Sequence, residues 1–249
     1  SGHSNVSVGA FSLTENTTGH DNTGIGRNAL GTSVTGNDNT AVGAYALQSS
    51  QTSNNTAVGH MAGGSLTTGA NITAVGFEAL RNTTTGGENV AVGLQALRSN
   101  TTGTNNVAVG IYALDANETG AYNIAIGRNA LGANTTSYNL GIGNGALKVN
   151  TSGSSNVAIG ESSLDANTTG GGNIGIGVHA LGANTTSNYN TGIGHNALKV
   201  NTTGADNVAV GSFALDANQT GTSNTAVGYG SLGANTNASN NTAVGTYAL

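Results

Sequence analysis

The chain of 249 residues contains no cysteine, no proline and no tryptophan, and only 7% of its residues are charged. Without cysteine it can form neither a disulfide framework nor a thiolate metal site. Its formal net charge is −5 and it has no basic cluster, which argues against a nucleic-acid-binding protein. No apolar run approaches the roughly 18 residues of a membrane span, so we expect no membrane insertion.

Glycine, by contrast, is abundant, and much of it recurs in one motif. Residues 207–215 read N-x-A-V-G-x-x-A-L, and this motif occurs fifteen times from end to end. Twelve of the fourteen intervals between motif glycines are 17 residues, and two are 16. A short, fixed period over the whole chain indicates a solenoid, here a single repeat domain over residues 1–249 with coils centred on Gly9 to Gly245.

The positions of the motif differ in what they accept. We number them from the motif glycine, which is position 0. Position −1 is Val or Ile in every copy, and positions −2 and +3 are always Ala, Gly or Ser. Position +4 is Leu except at Gly63, and position −4 is Asn except at Ile72. Positions +1 and +2 vary freely, as solvent-facing sites do.

Two strands per coil are predicted. Positions −3 to −1 alternate apolar, small, apolar, which is a strand pattern, and the glycine after them permits a bend. A second short strand is expected over positions +2 to +5, as in residues 213–216. The remainder, rich in Asn, Thr and Gly, is typical of a return turn. The fold class is therefore an all-β solenoid of about 15 coils.

The interior is expected to contain two kinds of column. The side chains at −1 and +4 would form apolar columns inside the coil. The asparagines at −4 would hydrogen-bond to their copies above and below, as in stacked strands. This predicted ladder contains Asn106, Asn123, Asn139, Asn156, Asn173, Asn190 and Asn207.

The small residues at −2 and +3 are expected to point away from the coil interior, because they alternate with the core positions. None of these thirty sites holds Lys, Glu or Gln, which an exposed face would tolerate. Either the coil is flattened and both faces are internal, or another chain packs there. We favour a partner chain.

The motif resembles the head repeats of trimeric autotransporter adhesins, which read like N-S-V-A-I-G-x-x-A. Residues 156–160 and 123–127 match that pattern closely, and similar repeats occur in phage tail-fibre shafts. The resemblance implies a left-handed parallel β-roll, three chains side by side, and a place on an extracellular or virion-surface fibre. This chain departs from it in having a longer repeat, and we expect no coiled-coil stalk or membrane anchor.

A longer period is present in the second half, where blocks of three coils are duplicated. Position +5 reads Asp115, Gly132, Lys148, then Asp165, Gly182, Lys199, then Asp216, Gly233. Such duplication suits selection for length or valency. The 17-residue coil predicts that three charge pairs lie on adjacent coils: Arg98–Asp115, Lys148–Asp165 and Lys199–Asp216.

No motif indicates catalysis. No carboxylate pair, phosphate-binding loop, calcium loop or histidine metal motif is present, so we expect a non-enzyme with no cofactor and no metal. The recurrent sequons at 100, 117, 134, 150, 167, 184, 201 and 218 are interpreted as stacked turn asparagines, since glycans on every coil would collide. Paired threonines such as Thr185–Thr186 also fit a turn better than a flat ice-binding strand.

The resulting prediction is an extracellular structural and adhesive fibre that assembles with itself. The alternatives are a phage tail-fibre shaft and a carbohydrate- or ice-binding solenoid. A surface glycan or host-cell ligand is a possible partner. No capping coil is seen, which fits either a fragment of a longer fibre or head-to-tail stacking. The candidate contact residues are Tyr45, Phe77, Tyr112, Phe213, Tyr229 and Tyr247.

Overall fold

The computed structural model describes residues 2–249, and it is an all-β solenoid built from three-residue parallel strands, one per coil. No helix occurs within this range. The chain divides into two compact units: the first ends at Asn123, and the second begins at Ile124. The first unit contains β1 Val6–Val8, β2 Thr23–Ile25, β3 Thr40–Val42, β4 Thr56–Val58, β5 Thr73–Val75, β6 Val90–Val92 and β7 Val107–Val109. The second contains β8 Ile124–Ile126, β9 Leu140–Ile142, β10 Val157–Ile159, β11 Ile174–Ile176, β12 Thr191–Ile193, β13 Val208–Val210, β14 Thr225–Val227 and β15 Thr242–Val244.

Within each unit, consecutive strands pair in parallel and in register with the repeat. In the second unit Val157 lies opposite Leu140 on one side and Ile174 on the other. The 16-residue interval changes nothing in this register, because Thr40 still lies opposite Thr56. The shorter interval therefore has one residue fewer in its turn and not in its strand. The predicted repeat of 17 residues is confirmed as the structural coil.

The core is filled by the small residues and the leucine, not by the β-branched residues of the strand. Ala209, Ala214 and Leu215 have no exposed surface, and the same three positions are buried in most coils. Val208 and Val210, on the alternate face of β13, are exposed or half-buried. The prediction that position −1 is internal and that −2 and +3 point outward is wrong. Small residues are required because the coil interior is narrow.

The second predicted strand is also absent: the structure has a turn over residues 213–216. Phe213 and Leu215 have φ angles of 58° and 50°, and the same left-handed conformation recurs at +2 and +4 along both units. Two left-handed residues separated by one other residue reverse the chain tightly and direct the leucine inward. This conformation costs a non-glycine residue about 1–2 kcal/mol, so the packing of the stacked coils has to enforce it.

Position 0 requires glycine for two reasons. Gly177 has φ +132°, a conformation that side chains rarely adopt. A Cβ atom on Gly177 would also lie 2.5 Å from the carbonyl oxygen of Gly194 in the next coil. The expected bend at the motif glycine is confirmed, and the same glycine lies in close contact with the backbone of the next coil.

Some substitutions inside the coil compensate for one another. Where position +3 is Ser12 or Ser163, the next coil has Gly24 or Gly175 at −2. A Cβ on either glycine would lie 2.6 Å from the serine Oγ, which donates a hydrogen bond of 2.9 Å to that glycine's carbonyl oxygen. The hydroxyl thus occupies the space that an alanine methyl group fills elsewhere.

Candidate functional surfaces

Most asparagines at position −4 are buried, and they are hydrogen-bonded in series. The backbone N–H and the side-chain Nδ2 of Asn207 both donate to Oδ1 of Asn190, at 3.0 and 3.1 Å. Nδ2 of Asn207 donates as well to the carbonyl oxygen of Gly221, at 2.8 Å. The same arrangement links Asn39–Asn22, Asn55–Asn39, Asn106–Asn89, Asn123–Asn106, Asn156–Asn139, Asn173–Asn156, Asn190–Asn173, Asn224–Asn207 and Asn241–Asn224. One amide per coil therefore satisfies three buried polar groups.

A second asparagine ladder contains the sequons. Asn184 is buried, and its Nδ2 donates to Oδ1 of Asn167 at 2.9 Å, while Asn201 donates to Asn184 at 3.2 Å. Further links are Asn117–Asn100, Asn150–Asn134, Asn167–Asn150, Asn218–Asn201 and Asn235–Asn218. N-glycosylation needs that same Nδ2, so a glycan at these sites is incompatible with the folded coil. The interpretation of these sequons as stacked turn asparagines is confirmed.

One coil replaces both ladders by apolar side chains. Leu66 stands where the sequon asparagine usually lies, Ile72 stands at −4, and both are buried. Gly63 replaces the usual leucine of this coil, and a Cβ there would lie 3.2 Å from Cδ1 of Ile72. The two departures at Gly63 and Ile72 are therefore one coordinated change, which sequence reasoning treated as unrelated exceptions.

The threonines after the sequon asparagines use their hydroxyl groups within the protein. Oγ1 of Thr185 donates to the carbonyl oxygen of Thr202 at 3.3 Å, and Oγ1 of Thr202 donates to that of Gln219 at 3.1 Å. These bonds connect successive coils. They agree with the interpretation of the threonines as turn residues, and they leave those hydroxyl hydrogens unavailable to an ice surface.

The outer face of the strands carries no charge and consists almost entirely of β-branched side chains. Positions −3 and −1 hold Val, Ile or Thr in every coil except for Leu140 at one −3 site. We call these two columns the strand face. Ile193 and Val227, which lie within one unit, are each 36% exposed. A parallel sheet normally has both faces covered, so an uncovered face of this composition is unusual for a monomer.

The aromatic candidates at +1 and +2 form rows of contacting rings. In the second unit His195, Phe213, Tyr229 and Tyr247 follow one another with centroids 5.2–5.7 Å apart, edge to face. In the first unit Tyr45 contacts His60, and His60 stacks on Phe77 at 5.3 Å. The guanidinium carbon of Arg27 lies 4.8 Å from the Tyr45 ring centroid. Tyr112 is exposed.

The charged column at +5 follows the predicted register. Nε of Arg98 lies 3.5 Å from Oδ1 of Asp115 on the next coil. Burial raises the pKa of both Asp165 and Asp216; His179 and Lys148 lower that of Asp165, and Lys199 lowers that of Asp216, by less than burial raises them. These charges are partly exposed, so each pair stabilises the fold by at most about 1 kcal/mol.

Glu78 is a buried charge that the sequence pattern did not reveal, because position +2 otherwise varies freely. One of its carboxylate oxygens accepts a hydrogen bond of 2.7 Å from Arg81, and the other accepts one of 2.8 Å from Gln95. Nη1 of Arg98 lies 4.0 Å from the same carboxylate. The carboxylate therefore connects side chains of two adjacent coils.

Neither a metal site nor a membrane segment is found among residues 2–249: no three metal-ligating side chains cluster, and no helix could cross a membrane. No protein-family model matches the chain, and no curated protein is significantly similar to it.

Proposed function

We propose that this protein is a non-catalytic structural component of an extracellular fibre, in which copies of the chain pack side by side and which mediates adhesion. The single observation that carries the proposal is the uncharged, partly exposed strand face. β-Branched side chains on a parallel sheet interdigitate well with a second such surface, and covering them removes apolar area from water.

The strand face, and not the small residues at −2 and +3, supports a neighbouring chain. The absence of long polar side chains at −2 and +3 is explained by the narrow coil interior, where Ala41 and Ala46, for example, are fully buried. The same absence at −3 and −1 has no such cause, since Ile193 and Val227 point outward. A contact between chains accounts for it. Three chains around one axis is the arrangement that the adhesin resemblance implies.

The test places charge on the strand face. In the variant Ile193→Lys/Val227→Lys, two buried ammonium groups would face an apolar neighbour without partners, so we expect assembly to fail. Sedimentation equilibrium should then give the monomer mass of 24.2 kDa for the variant and a multiple of it for the unmodified chain.

A matched control is available. Val149 and Val178 are 37% and 38% exposed but lie outside the strand face, so Val149→Lys/Val178→Lys adds the same charge at equal exposure. This control should assemble as the unmodified chain does. The proposal fails if the unmodified chain is monomeric, or if both variants change its mass equally.

A further inference from the structure

Three shallow cavities lie at the turns, each between side chains at +2 and residues at +5 and +6. We call this recurrent site the turn groove. One, in the first unit, includes Tyr45, Gln48 and Arg81. The other two, in the second unit, are centred on Gly182, with a volume of about 370 Å³, and on Gly233, with about 550 Å³.

The two larger cavities have the same origin in the sequence. Glycine at +5 has no side chain to fill the cavity. The carboxylate of the aspartate at +5 in the preceding coil lies close to this glycine. A Cβ on Gly182 would lie 3.6 Å from Oδ1 of Asp165, and a Cβ on Gly233 would lie 3.5 Å from Oδ1 of Asp216. The duplicated block therefore builds one carboxylate-edged cavity twice.

The other wall supplies flat rings. Phe213, Tyr229 and Tyr247 line the cavity at Gly233, and the imidazole of His179 lines the cavity at Gly182. Tyr45 takes this place in the first unit. Aromatic rings beside a few polar groups make a surface to which a ligand with both apolar and polar faces can bind.

The charged side chains at the cavities favour a neutral polymer over a polyanion or a polycation. Asp165 and Lys199 border the same cavity, and Arg81 borders the one in the first unit. A polyanion would meet the carboxylates, and a polycation would meet the ammonium and guanidinium groups. Hydroxyl groups suit both, because they donate to Asp165 and accept from Lys199.

We propose that the turn groove binds a neutral polysaccharide chain, whose hydroxyl groups bond to the +5 side chains and whose C–H faces pack on the rings at +2. Repetition of the cavity in the same columns favours a polymer over a single small molecule, because several weak contacts on one chain add up in avidity. The strand face contributes no residue to these cavities, so the inference stands apart from side-by-side assembly.

Native affinity electrophoresis of the full chain tests the proposal, with gels containing dextran, hydroxyethylcellulose, galactomannan, xylan or heparin. We expect retardation by at least one of the four neutral polymers and none by heparin. The variant Gly182→Gln/Gly233→Gln fills both cavities with a residue that the column already holds at Gln48. It should raise the dissociation constant about fivefold for each hydrogen-bonded contact that it displaces.

A second variant, Asp165→Ala/Asp216→Ala, removes the carboxylates without filling space and should weaken binding in the same way. Val178→Gln, in the same coil as Gly182 but outside its cavity, is the control and should bind normally. Three results would overturn the proposal: no retardation by any neutral polymer, stronger retardation by heparin, or equal binding by the groove variants and the control. Ile193→Lys/Val227→Lys should abolish assembly while leaving an individual chain's affinity unchanged, which separates this inference from the proposed function.

Discussion

Gly177→Ala is expected to lower the free energy of unfolding by about 2–6 kcal/mol, because positive-φ strain and overpacking each cost about 1–3 kcal/mol. The new Cβ would lie 2.5 Å from the carbonyl oxygen and 2.6 Å from the carbonyl carbon of Gly194, both of them backbone atoms that no rotamer change can move. Urea unfolding followed by circular dichroism measures the loss.

Gly182→Ala is the control for that experiment. Gly182 lies in the same coil, but its φ is outside the left-handed region, and an added Cβ would have its nearest contact at 3.3 Å, with the carbonyl oxygen of His179. Its stability should change by less than about 1 kcal/mol. Equal losses in the two variants would contradict the close approach of coils at position 0.

Asn190→Ala is the second substitution with a large expected effect. It removes the Oδ1 that accepts two hydrogen bonds from Asn207, and the Nδ2 that donates to Ser187 and Gly204 at 2.8 Å. The N–H of Asn207 then has no partner, while the carbonyl oxygen of Gly204 keeps its hydrogen bond from Nδ2 of Asn201, at 2.8 Å. An unsatisfied buried polar group costs about 1–3 kcal/mol and a lost hydrogen bond about 0.5–1.5 kcal/mol, so the substitution should cost about 1.5–4.5 kcal/mol. Urea unfolding again gives the value.

The nearby Asn188 provides the comparison. It is exposed, and its Oδ1 accepts a single hydrogen bond of 2.7 Å from the N–H of Gly171. Water can replace that bond, so Asn188→Ala should cost less than about 1 kcal/mol. If Asn190→Ala were no more harmful than Asn188→Ala, the ladder would not be a principal source of stability.

Much of the fold could be predicted from periodicity alone. The interval between motif glycines gives the coil length, and the alternation around Ala209 gives the strand. Stacked copies of one residue must also meet one another, so the partners in the charge column at Arg98 and Asp115 followed directly from the coil length. These predictions depend only on the number of residues between copies of the motif, which can be counted directly in the sequence.

The direction of the side chains could not be obtained in that way. An apolar-small-apolar strand has the same alternation whichever face is inside, and larger side chains are usually internal. In the structure, Ala209, Ala214 and Leu215 fill the interior, and the left-handed turns at Phe213 and Leu215 accompany this packing. A signal was present: threonine occupies −3 in several copies, such as Thr191 and Thr225, where an internal position would leave a hydroxyl group to be satisfied.

The positions of the candidate surfaces could not be predicted either, because they depend on which way the strand side chains point. Because Val208 and Val210 lie on the outer side of the strand, the columns at −3 and −1 form a surface instead of a core, and this surface supports a neighbouring chain. The turn groove was even harder to predict from the sequence. It arises from glycines at +5, such as Gly182. Their lack of a side chain creates a cavity edged by a carboxylate because Asp165 lies close to Gly182 in the fold.

The most direct test of the central claim, that the strand face is a contact between chains, is disulfide cross-linking. The chain has no cysteine, so a single Ile193→Cys substitution introduces one thiol at a defined place. Contact between strand faces predicts that mild oxidation converts this variant into a covalent dimer, while Val178→Cys, of nearly equal exposure, stays a single chain. Failure of Ile193→Cys to cross-link beyond the level of Val178→Cys would contradict the account.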